Sequence, residues 1–414
     1  MNKKGSFYIA KKIIFSGGHK TNVTSPVINI VIFAIALGIF MMIVAYGAGF
    51  GLQKKIKEKL GVFNGHIVVT NFDNNLSDVS KTPVSKTKII KSIDSLNIKN
   101  EISSYQSTAA KAGIIKTDQT FEGVIFKGVD KDFNAKLFKD LITIGENLKI
   151  TDSMSNEVII SSHLANRLLL KKGDKFTTYF FREESELPFR RQFKILGIYE
   201  TQIQEFDKTF VLGDIKHIQQ MNKWAPDQIG TLEVFLHDIE KMDAVNKLLF
   251  QQLPPDLDTN PLHHKFQHIF EWIKIFDFNV LLIIVIMTLV SIVNLSVATL
   301  ILILEKTAFI GIIRTLGATI QFARQVFFYK ALYITILGLF FGNLAAFILI
   351  FIQNTWGVIS LNPENYYVSK VVFSINFLDV LLINLLVLLA ISLSVFLPTY
   401  MISKIKLVDA IKFN

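Results

Sequence analysis

The chain has 414 residues, half of them hydrophobic, with a positive mean hydropathy of +0.41 and a formal charge of +10. This balance fits a membrane protein better than an ordinary soluble domain, and the absence of cysteine excludes disulfides, thiolate catalysis and Cys-based zinc or iron–sulfur sites. Much of the Lys and Arg flanks apolar runs, where it attracts anionic lipid and sets topology, so nucleic acid is not expected as a partner.

Residues 1–26 form a basic amphipathic lead-in that carries Lys3, Lys4, Lys11, Lys12 and Lys20. Within it, Gly17-Gly18-His19-Lys20-Thr21 lacks the Gly before Lys and the strand–loop–helix context of a phosphate loop, so no nucleotide site is read there. Four uncharged segments are long enough for the ~30 Å hydrocarbon layer: Val27–Phe50, Phe278–Leu304, Ala331–Ile352 and Val380–Ile402. The first exceeds a usual signal h-region, which favours an uncleaved anchor over a signal peptide cut near Ala45 and Gly47.

Residues 51–277 then form one large polar insert. Its β-rich runs are His66–Thr70, Phe121–Val129, Glu157–Ser161, Lys175–Phe181, Phe193–Glu200 and Thr231–His237, alternating with helical periods at Lys86–Leu96, His163–Leu170 and Ile239–Gln252. This pattern predicts a mixed α/β domain of two subdomains, with Asn71–Ser85 as an exposed excursion. Lys54–Leu60 and Phe266–Asp277 continue the flanking spans as stalk helices. His264 and His268 stand at i,i+4 near His263 and Glu271, yet no Glu follows His264 as a zinc protease requires, so a solvated stalk face is preferred to a metal site. No nucleophile-elbow motif appears, and an enzyme acting alone is not expected.

After the second span comes a loop, 305–330, then the third span, a short loop at 353–379, the fourth span and a tail at 403–414. Lys306, Arg314 and Arg324 in the first loop, and Lys404, Lys406 and Lys412 in the tail, join the N-terminal lysines in predicting that these three segments are cytoplasmic. Both termini are then inside and 51–277 outside. Ala34/Gly38, Gly47/Gly51 and Gly338/Gly342 have the spacing that lets helix backbones approach, within the chain or at a dimer seam. Asn29, Asn294, Asn343 and Asn384 are suited to interhelical hydrogen bonds and offer no charge for an ion relay. Glu305–Ala318 reads as a short amphipathic helix with Phe309, Ile310, Ile313 and Leu316 on its apolar face and a break at Gly317, which by composition alone fits a membrane-surface linker.

This last stretch, Glu305-Lys306 followed by Ile310-Gly311-Ile312 and by Arg314-Thr315-Leu316-Gly317-Ala318, resembles the signature of the ABC permease family that includes lipoprotein-releasing permeases, macrolide-exporter permeases and FtsX proteins. Phe7–Ala10, Gly47–Gly65 and Val408–Phe413 support the likeness, although the tail lacks the family's Pro and has Lys412 in place of Arg. Glu157–Gly173, Asp174–Phe181 and Arg191–Asp207 resemble the periplasmic domain of the LolC/LolE branch.

The resemblance implies an α-helical membrane domain of four transmembrane helices plus a large MacB-like periplasmic domain, in the bacterial inner membrane. It implies a non-catalytic permease subunit that binds no cofactor, with ATP and Mg held by a separate ABC ATPase. Other implied partners are a second or related permease, a lipoprotein substrate and membrane lipids. Glu305, Lys306, Phe309, Ile310, Gly311, Ile313, Arg314, Leu316 and Gly317 would be the ATPase-coupling residues, with Ile310, Ile313 and Arg314 foremost. The segment with Phe181, Glu183, Glu184, Glu186, Leu187, Pro188 and Phe189 occupies the place of a hook that recruits a periplasmic lipoprotein carrier, or is a plain hairpin turn. The implied activity is ATP-driven lipoprotein extraction. Macrolide or peptide efflux and FtsX-like activation of cell-wall hydrolases are the alternatives, and the long insert argues against the last.

Overall fold

The computed structural model describes residues 24–75, 77–96, 98–182, 185–400 and 402. The basic lead-in, the phosphate-loop-like run and the C-terminal tail lie outside these residues. In chain order the elements are α1 (Thr24–Asn64), β1 (Ile67–Asn71), β2 (Val84–Ser85), α2 (Lys86–Asp94), β3 (Ile102–Lys116) and β4 (Phe121–Val129). Then follow α3 (Ala135–Phe138), β5 (Ile142–Gly145), β6 (Glu157–Ser161), α4 (Ser162–Leu168), β7 (Lys175–Arg182) and β8 (Ser185–Tyr199). Next are α5 (Gln204–Asp207), β9 (Phe210–Asp214), α6 (Lys216–Asn222), β10 (Gln228–Ile229), β11 (Thr231–Leu236), α7 (Met242–Gln252) and β12 (Leu257–Pro261). The chain continues with α8 (Leu262–Lys265), α9 (Gln267–Glu305), α10 (Thr307–Thr315), α11 (Ile320–Trp356), α12 (Pro363–Tyr366), α13 (Phe377–Ser394) and α14 (Phe396–Tyr400). They fall into two compact units, one drawn from residues up to Lys54, Trp272–Ser360 and Lys370 onward, the other from Lys55–Glu271 and Leu361–Ser369.

The structure contains four helices long and apolar enough to cross a membrane; three hold the predicted runs whole, and the fourth, Phe377–Tyr400, holds the run predicted from Val380 as far as Tyr400. Both α1, with 41 residues, and α9, with 39, reach roughly 60 Å at 1.5 Å per residue, about twice the hydrocarbon thickness. Thus α1 carries Lys54–Leu60 without a break, while α9 starts at Gln267 because Phe266 leaves the helical region at φ −116°. The fourth span is interrupted: α13 ends at Ser394 and α14 resumes at Phe396. Pro398 cannot donate to the Ser394 carbonyl four residues back, which accounts for the break. Asn376 and Asp379 form a capping box that starts α13.

In the other unit ten strands form one connected sheet, and β2 and β10 pair separately as a two-stranded ribbon. One wing is antiparallel, β12–β1–β11–β3–β4, with Ile67 and Val69 of β1 buried. The other closes on itself, because β3 pairs with β4, β4 with β9, β9 with β6, β6 with β8, β8 with β7, and β7 again with β3. The predicted division into two parts takes the form of two wings that share β4 and the long strand β3. Stacked Phe126 and Phe193 (4.9 Å between centroids), with Phe180 and His217 edge-on, fill the closed wing. Burial lowers the His217 pKa below its ordinary value.

Two expectations are corrected. Strand β3 was not anticipated, since Ser, Gln, Ala and Gly dominate Ser103–Gly113. Its ladder is satisfied by β11 and β4 along its length, so small and hydrogen-bonding side chains suffice. Nor is Asn71–Ser85 simply an exposed excursion: Asn74 and Ser80 are buried, and Asn74 Oδ1 accepts from the Lys81 and Thr82 amides at 2.8 and 3.0 Å. Lys59 Nζ donates to Gln202 Oε1 at 2.6 Å and to the Tyr367 carbonyl at 3.0 Å. The same Gln202 oxygen accepts from the Ser369 amide, which fastens residues 361–369 into this unit.

Candidate functional site

The segment after the second long span builds a compact, two-faced helix. Lys306 precedes α10 in a non-helical conformation and pairs with Glu305 at 3.3 Å. At the other end Gly317 sits at φ +93°, where its amide donates to Arg314 O and the Ala318 amide to Ile313 O, the paired bonds of a Schellman stop. Between these ends the apolar residues divide. Ile310 is completely buried in the helical unit's own core, Gly311 is buried beside it, and Ile313 packs against Phe322 and Val326 of α11. Ile312 and Leu316 are 56% and 80% exposed.

The expected single face of Phe309, Ile310, Ile313 and Leu316 is therefore corrected. An i,i+3 pair, Ile310 and Ile313, anchors the helix inward, and Leu316 joins Ile312 on the outside. Phe309 and Arg314 are half-buried. The exposed Ile312 was missed because periodicity marks an apolar stripe without saying which neighbour covers it.

The small residues position the helices around α1. A side chain on Gly338 or Gly342 of α11 would run into Ile35 and Ile39 of α1, and one on Gly38 would meet Ser291 of α9 at 3.0 Å. Gly47 and Gly51 face the segment Val372–Ile375, where the Ser374 amide donates to Gly47 O at 3.2 Å. Ala34 is half-buried on α1. The glycines thus serve close packing inside this chain. Asn343 of α11 and Asn384 of α13 exchange side-chain amide hydrogen bonds of 2.7 and 3.0 Å.

The hook segment is a strand hairpin. β7 and β8 stay in register through Phe180↔Phe189 and, past a bulge, Arg182↔Ser185, which leaves Glu183 and Glu184 to connect them. Those two residues, and the side chains of Glu186 and Leu187, lie outside what the structure describes. The expected 180–190 loop contracts because cross-strand pairing continues almost to the tip. Phe180 is buried, Phe181 is 55% exposed, and Pro188 and Phe189 are half-buried within β8.

A charged pair that sequence reasoning missed lies inside the sheet unit. Lys127 Nζ of β4 and Glu233 Oε1 of β11 are 2.7 Å apart, with side chains 6% and 4% exposed. Lys127 also donates to the Phe63 carbonyl at the end of α1 and lies 4.8 Å from that residue's ring centroid. Gln106 and Thr108 donate to the Glu233 carboxylate at 3.1 and 3.3 Å. Burial pushes the Lys127 pKa down, against the opposing pull of Glu233. Gly65, at φ +69°, makes this arrangement possible by turning the chain out of α1 directly against Glu233, where a side chain would clash. Only an interrupted hydrophobic run, Phe121–Val129, hinted at Lys127.

His264 and His268 do not share a helical face, because α8 ends before Phe266 and α9 begins after it. His268 pairs with Glu205 at 3.2 Å and His263 with Asp243 at 3.4 Å. No cluster of three metal-ligating side chains occurs among the described residues.

These elements define a membrane protein with four long apolar helices and a large mixed α/β domain inserted between the first two. The chain matches the MacB-like periplasmic core domain over residues 30–250 and the FtsX-like permease C-terminal domain over residues 281–407. It belongs to the family of proteins that carry the MacB-like periplasmic core domain, here joined to an FtsX-like permease region. Similar proteins span nearly its whole length at low identity. An uncharacterized membrane protein of Buchnera aphidicola is 22% identical over 96% of this chain and 97% of its own. The lipoprotein-releasing system transmembrane protein LolC of Xylella fastidiosa is 19% identical over 92% and 93%. The corresponding LolE of Haemophilus influenzae is 23% identical over 87% of each chain.

Proposed function

We propose that this chain is the permease subunit of an ATP-driven ABC transporter that extracts lipoproteins from the bacterial inner membrane for transfer to a periplasmic carrier. Support comes from the likeness to LolC and LolE along more than four-fifths of the chain. The observation that carries the mechanism is α10, held inward by Ile310 and presenting Ile312 and Leu316 outward. In this reading α10 is the coupling helix. It docks into a separate cytoplasmic ATPase, which binds ATP and Mg and does the hydrolysis, while the permease supplies no catalytic group. Both termini are cytoplasmic, and the 51–277 insert is periplasmic. Two permeases, alike or related, assemble with two ATPases, and nucleotide-driven closure moves α1 and α9 together with the periplasmic domain. The hairpin end near Phe181 is the carrier-facing element.

Depletion of the protein followed by fractionation of inner and outer membranes tests the substrate. Retention of lipoproteins in the inner membrane is expected. Normal sorting with drug hypersensitivity would favour efflux of the macrolide or peptide type, and normal sorting with faulty wall hydrolysis would favour an FtsX-like role. Docking is tested separately by Ile312→Asp and Leu316→Asp. Each removes an apolar contact worth about 1.5–3 kcal/mol, or roughly 10- to 100-fold in ATPase affinity, and unchanged co-purification of the ATPase would refute the coupling assignment.

A further inference from the structure

A cleft of ≈690 Å³ opens on one face of the antiparallel wing of the sheet. The register builds its floor: Val68 of β1 stands beside Glu233 of β11 and Asn260 of β12, and Thr231 beside both Thr70 and Thr108. Phe206, Phe210 and Phe266 form an apolar wall, with Phe266 edge-on to Phe206 at 5.4 Å. The volume lies in the range of small-ligand sites, about 300–1,000 Å³.

Two features narrow the occupant. Each acidic group of the lining lies beside a basic one in the same lining: Glu233 with Lys127 at 2.7 Å, Asp78 with Lys265 at 3.0 Å and Glu205 with His268 at 3.2 Å, the last an ion pair only when the imidazole is protonated. The two lysines of the lining are each engaged by a carboxylate, which disfavours a phosphate or another strongly anionic ligand. The second feature is Asn64, the last residue of α1. It lines the cleft, is 5% exposed, and its Nδ2 has no hydrogen-bond partner among the described residues. A buried amide donor left unmatched is costly, and a ligand acceptor satisfies it.

We infer that this cleft binds an uncharged peptide unit, with a backbone carbonyl accepting from Asn64 Nδ2 and an apolar side chain against the phenylalanine wall. Binding here is independent of whether the transported cargo is a lipoprotein.

The test uses the full chain in lipid nanodiscs and saturation-transfer-difference NMR. The probe is N-acetyl-leucine methylamide, compared with the glutamate and lysine analogues. Saturation transfer to the leucine methyl and acetyl protons is expected, with at least a tenfold weaker Kd in Asn64→Leu and in Val79→Trp, which adds bulk at a second lining position. Asn64→Leu is also expected to unfold at a higher temperature than the parent, since it removes an unmatched donor; a purely structural Asn64 would give the opposite shift. Signals that persist unchanged in both variants, or that are as strong for the charged analogues, or no transfer to the leucine probe at 10-fold excess over ~1 mM, the weak end of small-ligand affinity, would overturn the inference.

Discussion

Lys127→Met keeps the apolar stem and removes the ammonium, so the Glu233 carboxylate, 4% exposed, keeps Gln106 and Thr108 as donors but loses its counter-charge. Stranding one member of a buried ion pair costs about 3–5 kcal/mol. For a unit of this size each kcal/mol moves the midpoint by about 2–4 °C, so a fall of roughly 6–20 °C is expected. Glu233→Gln should cost less, about 1–3 kcal/mol, because burial already pushes the Lys127 pKa down and the amine can shed its proton. The double change Lys127→Met/Glu233→Leu should recover most of the loss, since an apolar pair of similar volume carries no desolvation penalty. With Trp272→Phe and Trp356→Phe as background, Trp224 becomes the sole indole and reports the melting of the sheet unit by fluorescence. A Lys127→Met midpoint within about 2 °C of the parent, or a double variant no better than the worse single one, would refute the reasoning.

His66 Nδ1 accepts from the Leu236 amide at 2.8 Å, and burial lowers the His66 pKa to about 4. The unfolded chain therefore binds the proton first, so stability is fully present above the ordinary histidine range and is lost as pH falls towards 4, by on the order of 3 kcal/mol. Denaturation of His66→Asn between pH 7 and 4 should show a flatter pH dependence than the parent. Gly51→Ala puts a Cβ onto the Val372 carbonyl and should lower the yield of monodisperse protein on size-exclusion chromatography, while Gly123→Ala, with open space around it, should not. Asn343→Leu should cost about 0.6–1.7 kcal/mol in a detergent unfolding assay, and Asn343→Leu/Asn384→Leu less than the sum of the two single changes, because it leaves no orphaned amide.

The four spans and most strands of the insert were legible because each depends on local pattern. An uncharged run of twenty residues has few fates other than a membrane helix, and Glu157–Ser161 or Phe121–Val129 carries β-branched or aromatic residues between turn signals. The sequence by itself also marked Glu305–Gly317 as an amphipathic helix with a glycine stop. Tertiary structure alone decided which side of that helix faces out. Ile310 and Ile312 are equally apolar, and only packing into the core of the helical unit buries the first while the second is left exposed. It likewise decided that Ser- and Gln-rich β3 runs through both wings, since its ladder partners are more than a hundred residues away in β11 as well as adjacent in β4. Lys127, Glu233 and Asn64 follow the same rule. Charge and amide groups declare their chemistry in sequence, but burial and pairing are non-local, and those set what the groups can do.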